Sequence, residues 1–181
     1  MIADLESPVT TIARAVQMRS SIPLRFAIVV ISIAFYWIAL THPACLFRFV
    51  HVGPGGVRTE GALKIYSGSD MLHRSILGPF QVNLAGLANP LLWLSWFFLL
   101  SGRFKYAAIG SLSGITFSLQ TFQVFLMPMP MDESGGNFAE LVQLLPGYYL
   151  WAASILIVFL ASWYEGRKPQ VTSDNTELRL R

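Results

Sequence analysis

The chain has 181 residues, of which 54% are apolar and only 13% charged. Ordinary soluble domains carry about 25% charged residues, and here the charges crowd between four uncharged runs, 26–47, 76–102, 106–131 and 141–164. This pattern excludes a soluble all-α core, whose helices need a polar face, and leaves too little chain for a second domain.

A helix needs about 20 apolar residues to cross a hydrocarbon core of about 30 Å. The expected fold is therefore all-α, an integral membrane four-helix bundle. Its spans fall at about 24–42, 82–102, 106–127 and 145–164, with an outer connector at about 48–75. Residues 1–21 and 165–181 read as a cytoplasmic N-terminal segment and a cytoplasmic tail. Orientation follows from the basic residues, which collect on cytoplasmic flanks. With both termini inside (N-in, C-in), Arg14, Arg19, Arg25, Arg103, Lys105, Arg167, Lys168, Arg179 and Arg181 are cytoplasmic, and only Arg48, Arg58, Lys64 and Arg74 lie outside. The location expected is the inner membrane.

In chain order, Ser7-Pro8 reads as an N-cap and first-turn proline. A short interfacial helix or a solvated tail follows. The first span begins near Leu24 and ends at Thr41-His42-Pro43, because the residue before a proline disfavours helix. It starts too late and runs too long for a cleaved signal peptide. In the connector, Gly53-Pro54-Gly55-Gly56 is a breaker cluster. Val57 to Tyr66 reads as a small hairpin around Glu60-Gly61, and Asp70 to Leu77 as a helix capped by Ser69 or Asp70.

The second run is too long for one straight span and holds Gly78-Pro79 and Asn89-Pro90. Proline removes a helical hydrogen bond and clashes with the preceding turn. The second helix is therefore expected to break near Asn89-Pro90, with an oblique or re-entrant outer part. In the third run Gly110 and Gly114 form a G-x-x-x-G, and Ser118 extends the line. In the fourth, Gly147, Ser154 and Ala161 recur every seven residues. Such small-residue seams let helices approach closely, within the chain or between copies.

The residues that bear chemistry are few. No Asp, Glu, Lys or Arg falls within the core of any span, Arg25 standing at the inner end of the first, which argues against a proton-coupled pump or a small multidrug exporter. A single cysteine excludes an internal disulfide and a four-helix thiol oxidase. His42, His51 and His73, with Cys45, match no metal-ligand spacing, and no haem or other cofactor is expected. Ser67, Ser69 and Ser75 near Asp70 and His73 lack a nucleophile elbow. The basic residues form no nucleic-acid footprint.

The amides carry the most informative pattern. Gln81, Asn83, Asn89, Gln120, Gln123 and Gln143 all fall toward the outer halves of the spans. Either they satisfy backbone groups freed around the prolines, or Asn83, Asn89, Gln120, Gln123 and Gln143 line an outward-facing cavity for a ligand or a partner's segment.

The phrase Leu87-Ala88-Asn89-Pro90-Leu91-Leu92-Trp93, followed by Gly102-Arg103, resembles the second span of a family of small uncharacterised bacterial inner-membrane proteins. Pro146-Gly147-Tyr148-Tyr149-Leu150-Trp151-Ala152-Ala153-Ser154 resembles their last span. The resemblance implies a four-helix inner-membrane protein and assigns no active site. The expected function is a non-enzymatic accessory, assembly or immunity-type component in the lipid bilayer. It would meet a protein partner or further copies through its connector and seams. An oligomeric transporter or small-solute channel is the alternative, and an enzyme at the outer surface is more remote.

Overall fold

The computed structural model describes residues 8–53, 55–77, 84–131 and 136–168. Helix α1 (Pro8–Thr41) is a single element of 34 residues, roughly 50 Å long at 1.5 Å per residue. The separate interfacial helix expected before the first span is thus part of that span's own helix; Ser7 lies outside the described residues. At the end of α1 the Thr41 hydroxyl and His42 Nδ1 each donate to the Ile38 carbonyl at 2.9 Å. The His42 N–H donates to the same carbonyl at 3.2 Å, so the last turn is tied at one acceptor before Pro43 stops the helix.

The chain then turns into sheet. Strands β1 (Pro43–Val52) and β2 (Arg58–Ser67) form an antiparallel hairpin. Late in the chain β3 (Met129–Pro130) and β4 (Asn137–Leu144) add to the other edge of β1, giving the order β2-β1-β4-β3. This overturns the all-α expectation: the fold is mixed α/β, helices joined to a four-stranded antiparallel sheet. The physical reason lies in where the strands sit. β1 directly follows a long apolar helix and β4 directly precedes another, so their Phe, Val and Leu residues read as extensions of apolar runs.

The expected hairpin around Glu60-Gly61 is also corrected. The turn is made at Gly53–Val57, where Gly55 and Gly56 take φ of 86° and 80°, values that suit glycine. Gly61 instead faces a register shift between Arg48 and Val50. There a side chain would press on the Phe49 carbonyl, 3.0 Å from an added Cβ.

Helix α2 (Gly68–Leu77) follows β2. Its cap is Ser67, not Ser69 or Asp70. The Asp70 N–H donates to the Ser67 hydroxyl at 3.2 Å, while the Ser67 N–H donates to the Asp70 carboxylate at 3.0 Å. This is a reciprocal capping box. Residues 78–83 lie outside the described set, and with them Pro79, Gln81 and the candidate Asn83. A 3₁₀ turn (Leu84–Leu87) leads into α3 (Ala88–Leu100). The break expected at Asn89-Pro90 is a helix start instead. Pro90 sits in the first turn of α3, where its missing N–H costs nothing.

Helix α4 (Phe104–Leu119) gives way to a 3₁₀ turn (Gln120–Phe122) and the short α5 (Gln123–Leu126), so the third run is not one regular span. Helix α6 (Pro146–Arg167) packs along α1 and α4, and α3 packs along α4. By length and composition, two helical stretches suffice to cross a membrane, Ile22–Thr41 and Pro146–Arg167; Leu84–Leu100 is a shorter apolar stretch.

The tail expected from residue 165 is corrected at its start, since α6 runs through Glu165 and buries it. The Glu165 side chain is 2% exposed. It lies 3.7 Å from Arg25 Nε and pairs with Lys168 Nζ. A buried carboxylate needs such partners. Arg25 also lies 4.6 Å over the Phe104 ring, so this knot ties α1 and α6 to the α3–α4 turn.

At the sheet end the joint between α1 and β1 is clasped by two glycines. A Cβ on Gly68 would run into the Ala39 carbonyl, and one on Gly147 would sit 2.7 Å from the Pro43 carbonyl oxygen. Gly147→Ala must therefore push backbone against backbone, a cost of about 1–3 kcal/mol. An added Cβ on Gly166 meets only an ordinary 3.6 Å contact. Thermal melts in detergent should show a clear loss for Gly147→Ala and none for Gly166→Ala; equal melts contradict the clasp.

Candidate functional site

The site is built where sheet meets helices. A cavity of about 90 Å³ lies between the end of α1, β1, α2, the Leu84–Leu87 turn and the start of α6. Ala39, Ala44, Met71, Leu72 and Trp151 give it a largely apolar wall, and Asn89, Thr121 and Tyr148 bring the polar groups. At about 10–15 Å³ per water the space holds several waters or one short apolar group.

The polar groups are fixed by bonds that cross between helices. The Trp151 indole N–H donates to Asn89 Oδ1 at 2.9 Å, and Asn89 Nδ2 donates to the Gly86 carbonyl at 3.4 Å. Asn89 therefore joins α6 to α3 and to the preceding turn. The Tyr148 hydroxyl donates to the Ser118 carbonyl at 3.0 Å, just where α4 gives way to 3₁₀. A side chain bonding into the helical ladder at that point accounts for the change of helix type. One turn deeper the Trp96 indole donates to Ser32 Oγ at 2.9 Å, and Ser32 Oγ donates to the Ser154 carbonyl at 2.8 Å. That chain links α3, α1 and α6.

Of the four singled-out amides among the described residues, the structure brings only Asn89 to the cavity wall. Gln120 accepts the Leu84 N–H through Oε1 at 3.2 Å, which satisfies a backbone donor at the start of the 3₁₀ turn. Gln123 and Gln143 are exposed. Asn83 lies outside the described residues. Among the packing residues, Gly110 rests against Ser95 of α3, and Gly114 against Ala88 of α3 and Ile155 of α6. Ser118, Gly147 and Ser154 are buried. Tyr148, Trp151, Thr121 and Ser32 are the site residues that sequence reasoning missed. The partners of the two aromatic rings lie 30 and 62 residues away, which no local pattern reveals.

The remaining reactive groups are occupied structurally. His73 Nδ1 donates to the Ser69 carbonyl at 2.8 Å, and His51 pairs with Asn137. Asp70 bonds Ser67 rather than His73. The Ser67 hydroxyl, and then its N–H, hold the Asp70 carboxyl below the usual carboxylate range. Burial pushes the Cys45 thiol up to about 12, so it stays protonated and unreactive at neutral pH.

No protein-family model, no curated protein and no solved structure matches this chain.

Asn89→Ala would strand the Trp151 N–H, and an unsatisfied buried donor costs about 1–3 kcal/mol. Gln143→Ala, at an exposed site, should change stability by no more than about 0.5 kcal/mol. Detergent melts of the two variants check this, and comparable losses would refute the assigned role of Asn89.

Proposed function

We propose that this chain is a multi-pass protein of the inner membrane, both termini cytoplasmic, that acts as a non-enzymatic accessory or assembly component. Its working surface is the sheet-capped outer end. The observation that supports this most is the set of small polar residues buried between its helices beneath an apolar outer surface. Ser32, Ser95, Ser111, Ser154 and Ser162 are fully buried, while Phe26, Trp37, Phe97, Ile109 and Leu126 are more than half exposed. Water does not tolerate apolar exposure on that scale. Lipid does, and small inward residues are how helices pack in it.

The charges support the same reading by their banding. Arg25, Arg103, Lys105, Glu165 and Lys168 gather at one end of the helices. Arg48, Arg58, Glu60, Lys64, Asp70, Arg74 and Glu140 belong to the sheet and α2. The basic excess puts the first group inside.

The accessory role draws on the sheet. β2 is an edge strand exposed along most of its length, with Leu63 and Ile65 in the open. Unpaired edges and exposed apolar residues are the usual means of engaging another chain. A conducting path through a single copy is disfavoured, because Leu92, Leu99, Ile155 and Val158 are fully buried and fill the helices beyond the cavity.

Single cysteines at Leu63 and Lys105 test the topology against the inert Cys45. A membrane-impermeant maleimide applied to intact spheroplasts should label Leu63→Cys and spare Lys105→Cys; the reverse pattern would overturn the orientation. Purification in mild detergent tests the role. A stoichiometric foreign subunit supports it, and a homo-oligomer that moves solute in liposomes overturns it.

A further inference from the structure

Three features at the sheet end converge on one ligand. The first is the apolar cavity, which the membrane reading places at the outer boundary between acyl chains and headgroups. The second is the underside of β2. Lys64 stands opposite Phe47 in the β1–β2 register, and paired residues of an antiparallel ladder share a face. Phe47 and Tyr66 belong to the buried cluster that also holds Val124 and Tyr148 of the helices, so that face is the one resting on the helices. Lys64 and Tyr66 thus look toward the bilayer where β2 overhangs.

The third is α2. Arg74 lies 4.5 Å over the Tyr66 ring and donates to its hydroxyl at 3.3 Å. Lys64 Nζ lies 5.1 Å from the same ring. Both are cation–π distances, and neither cation forms an ion pair within 4 Å of a carboxylate among the described residues. Asp70, the nearby carboxylate, bonds Ser67 and feels the charges of Arg74 and Lys64 without pairing directly with either. Met71, one turn before Arg74, packs on the Tyr66 cluster and also lines the cavity. Two cations and an apolar slot are therefore joined by one side chain.

We propose that this corner is a binding site for one acidic phospholipid of the outer leaflet. The phosphate sits on Lys64 and Arg74, and the end of one acyl chain enters the cavity between Met71, Leu72, Ala85 and Trp151. Paired cations held by an aromatic ring recognise the phosphate. A slot of this volume accepts a short length of chain rather than a bulky ring system. The bound lipid lies between α2, β2 and the helices, and completes the wall of the cavity.

The inference rests on the membrane reading, and the two fail differently. A chain that stays soluble and monodisperse without detergent sinks the membrane reading itself. A chain that needs detergent but shows no lipid preference sinks only this site. The test is native mass spectrometry of the delipidated full chain titrated with phosphatidylglycerol or with phosphatidylcholine. The expected result is one tightly held phosphatidylglycerol, bound about tenfold better than phosphatidylcholine. Lys64→Gln with Arg74→Gln should abolish the preference. Ala85→Phe, which fills the slot, should weaken retention of both lipids. Leu72→Trp is the second filling variant if Ala85→Phe melts early. Equal retention of the two lipids overturns the site, as does loss with only the charge variant or only the filling variants. Addition of inorganic phosphate should not displace the lipid; displacement would mean a bare anion site.

Discussion

The inward line of α4 is wholly small, Ala107, Ser111, Gly114 and Ser118, and the serines of α1, α3 and α6 meet it among a few buried Val, Leu and Ile side chains; the rest of the structure depends on that close packing. The buried serines do not leave their hydroxyls unsatisfied. Ser95, Ser111 and Ser162 donate to carbonyls one turn back at 2.7 Å, those of Leu91, Ala107 and Val158. A short side chain bonded to its own helix presents a nearly flat surface. The backbones can then approach, as Gly110 does at Ser95 and Gly114 at Ala88. On the proposed membrane reading no hydrophobic driving force remains between the helices, so close packing and a few cross-helix bonds must supply the association. The bonds among Trp96, Ser32 and Ser154, and between Trp151 and Asn89, meet that need.

The sheet converts this packing into a closed end. α1 runs into β1 with only His42 between them, and β4 runs into α6 with only Leu145 between. Pairing β1 with β4 thus fixes the spacing of the two helices that follow and precede them. The Leu145 N–H donates to the Ala44 carbonyl at 2.8 Å, and the Gly68 N–H to the His42 carbonyl at 3.0 Å. Both bonds fall on the same joint. α2 is drawn across the helix ends by that joint, and the cavity is the space left beneath it. At the opposite end the Glu165 knot plays the corresponding part, since a paired buried carboxylate holds α1, α6 and the α3–α4 turn in one arrangement.

Some boundaries and packing faces were legible in the sequence, the sheet was not, and the failures have definite causes. His42-Pro43 gave the end of α1, the Gly53–Gly56 cluster marked a turn, and the small residues of α4 marked a packing face. β1 and β4 were hidden because strand and helix share an apolar alphabet when they abut. Cys-Leu-Phe-Arg-Phe-Val has β-propensity, but it stands against a run already long enough to be a span. Pro90 read as an interruption, because composition cannot separate a proline inside a helix from one in its first turn. Asn89 was singled out as polar at depth, yet its partner Trp151 is a tertiary fact. Glu165 looked like the start of a charged tail. Only the geometry of α1, which brings Arg25 beside it, makes it an interior residue.

On the proposed reading lipid surrounds the helices while water reaches the sheet. Spin labels at Ile109 of α4, Leu156 of α6 and Leu63 of β2, in proteoliposomes, test it most directly through collision with oxygen and with a water-soluble nickel chelate. High oxygen and low nickel accessibility are expected at Ile109 and Leu156, and the opposite at Leu63. Nickel accessibility at Ile109 and Leu156 equal to that at Leu63 would contradict it.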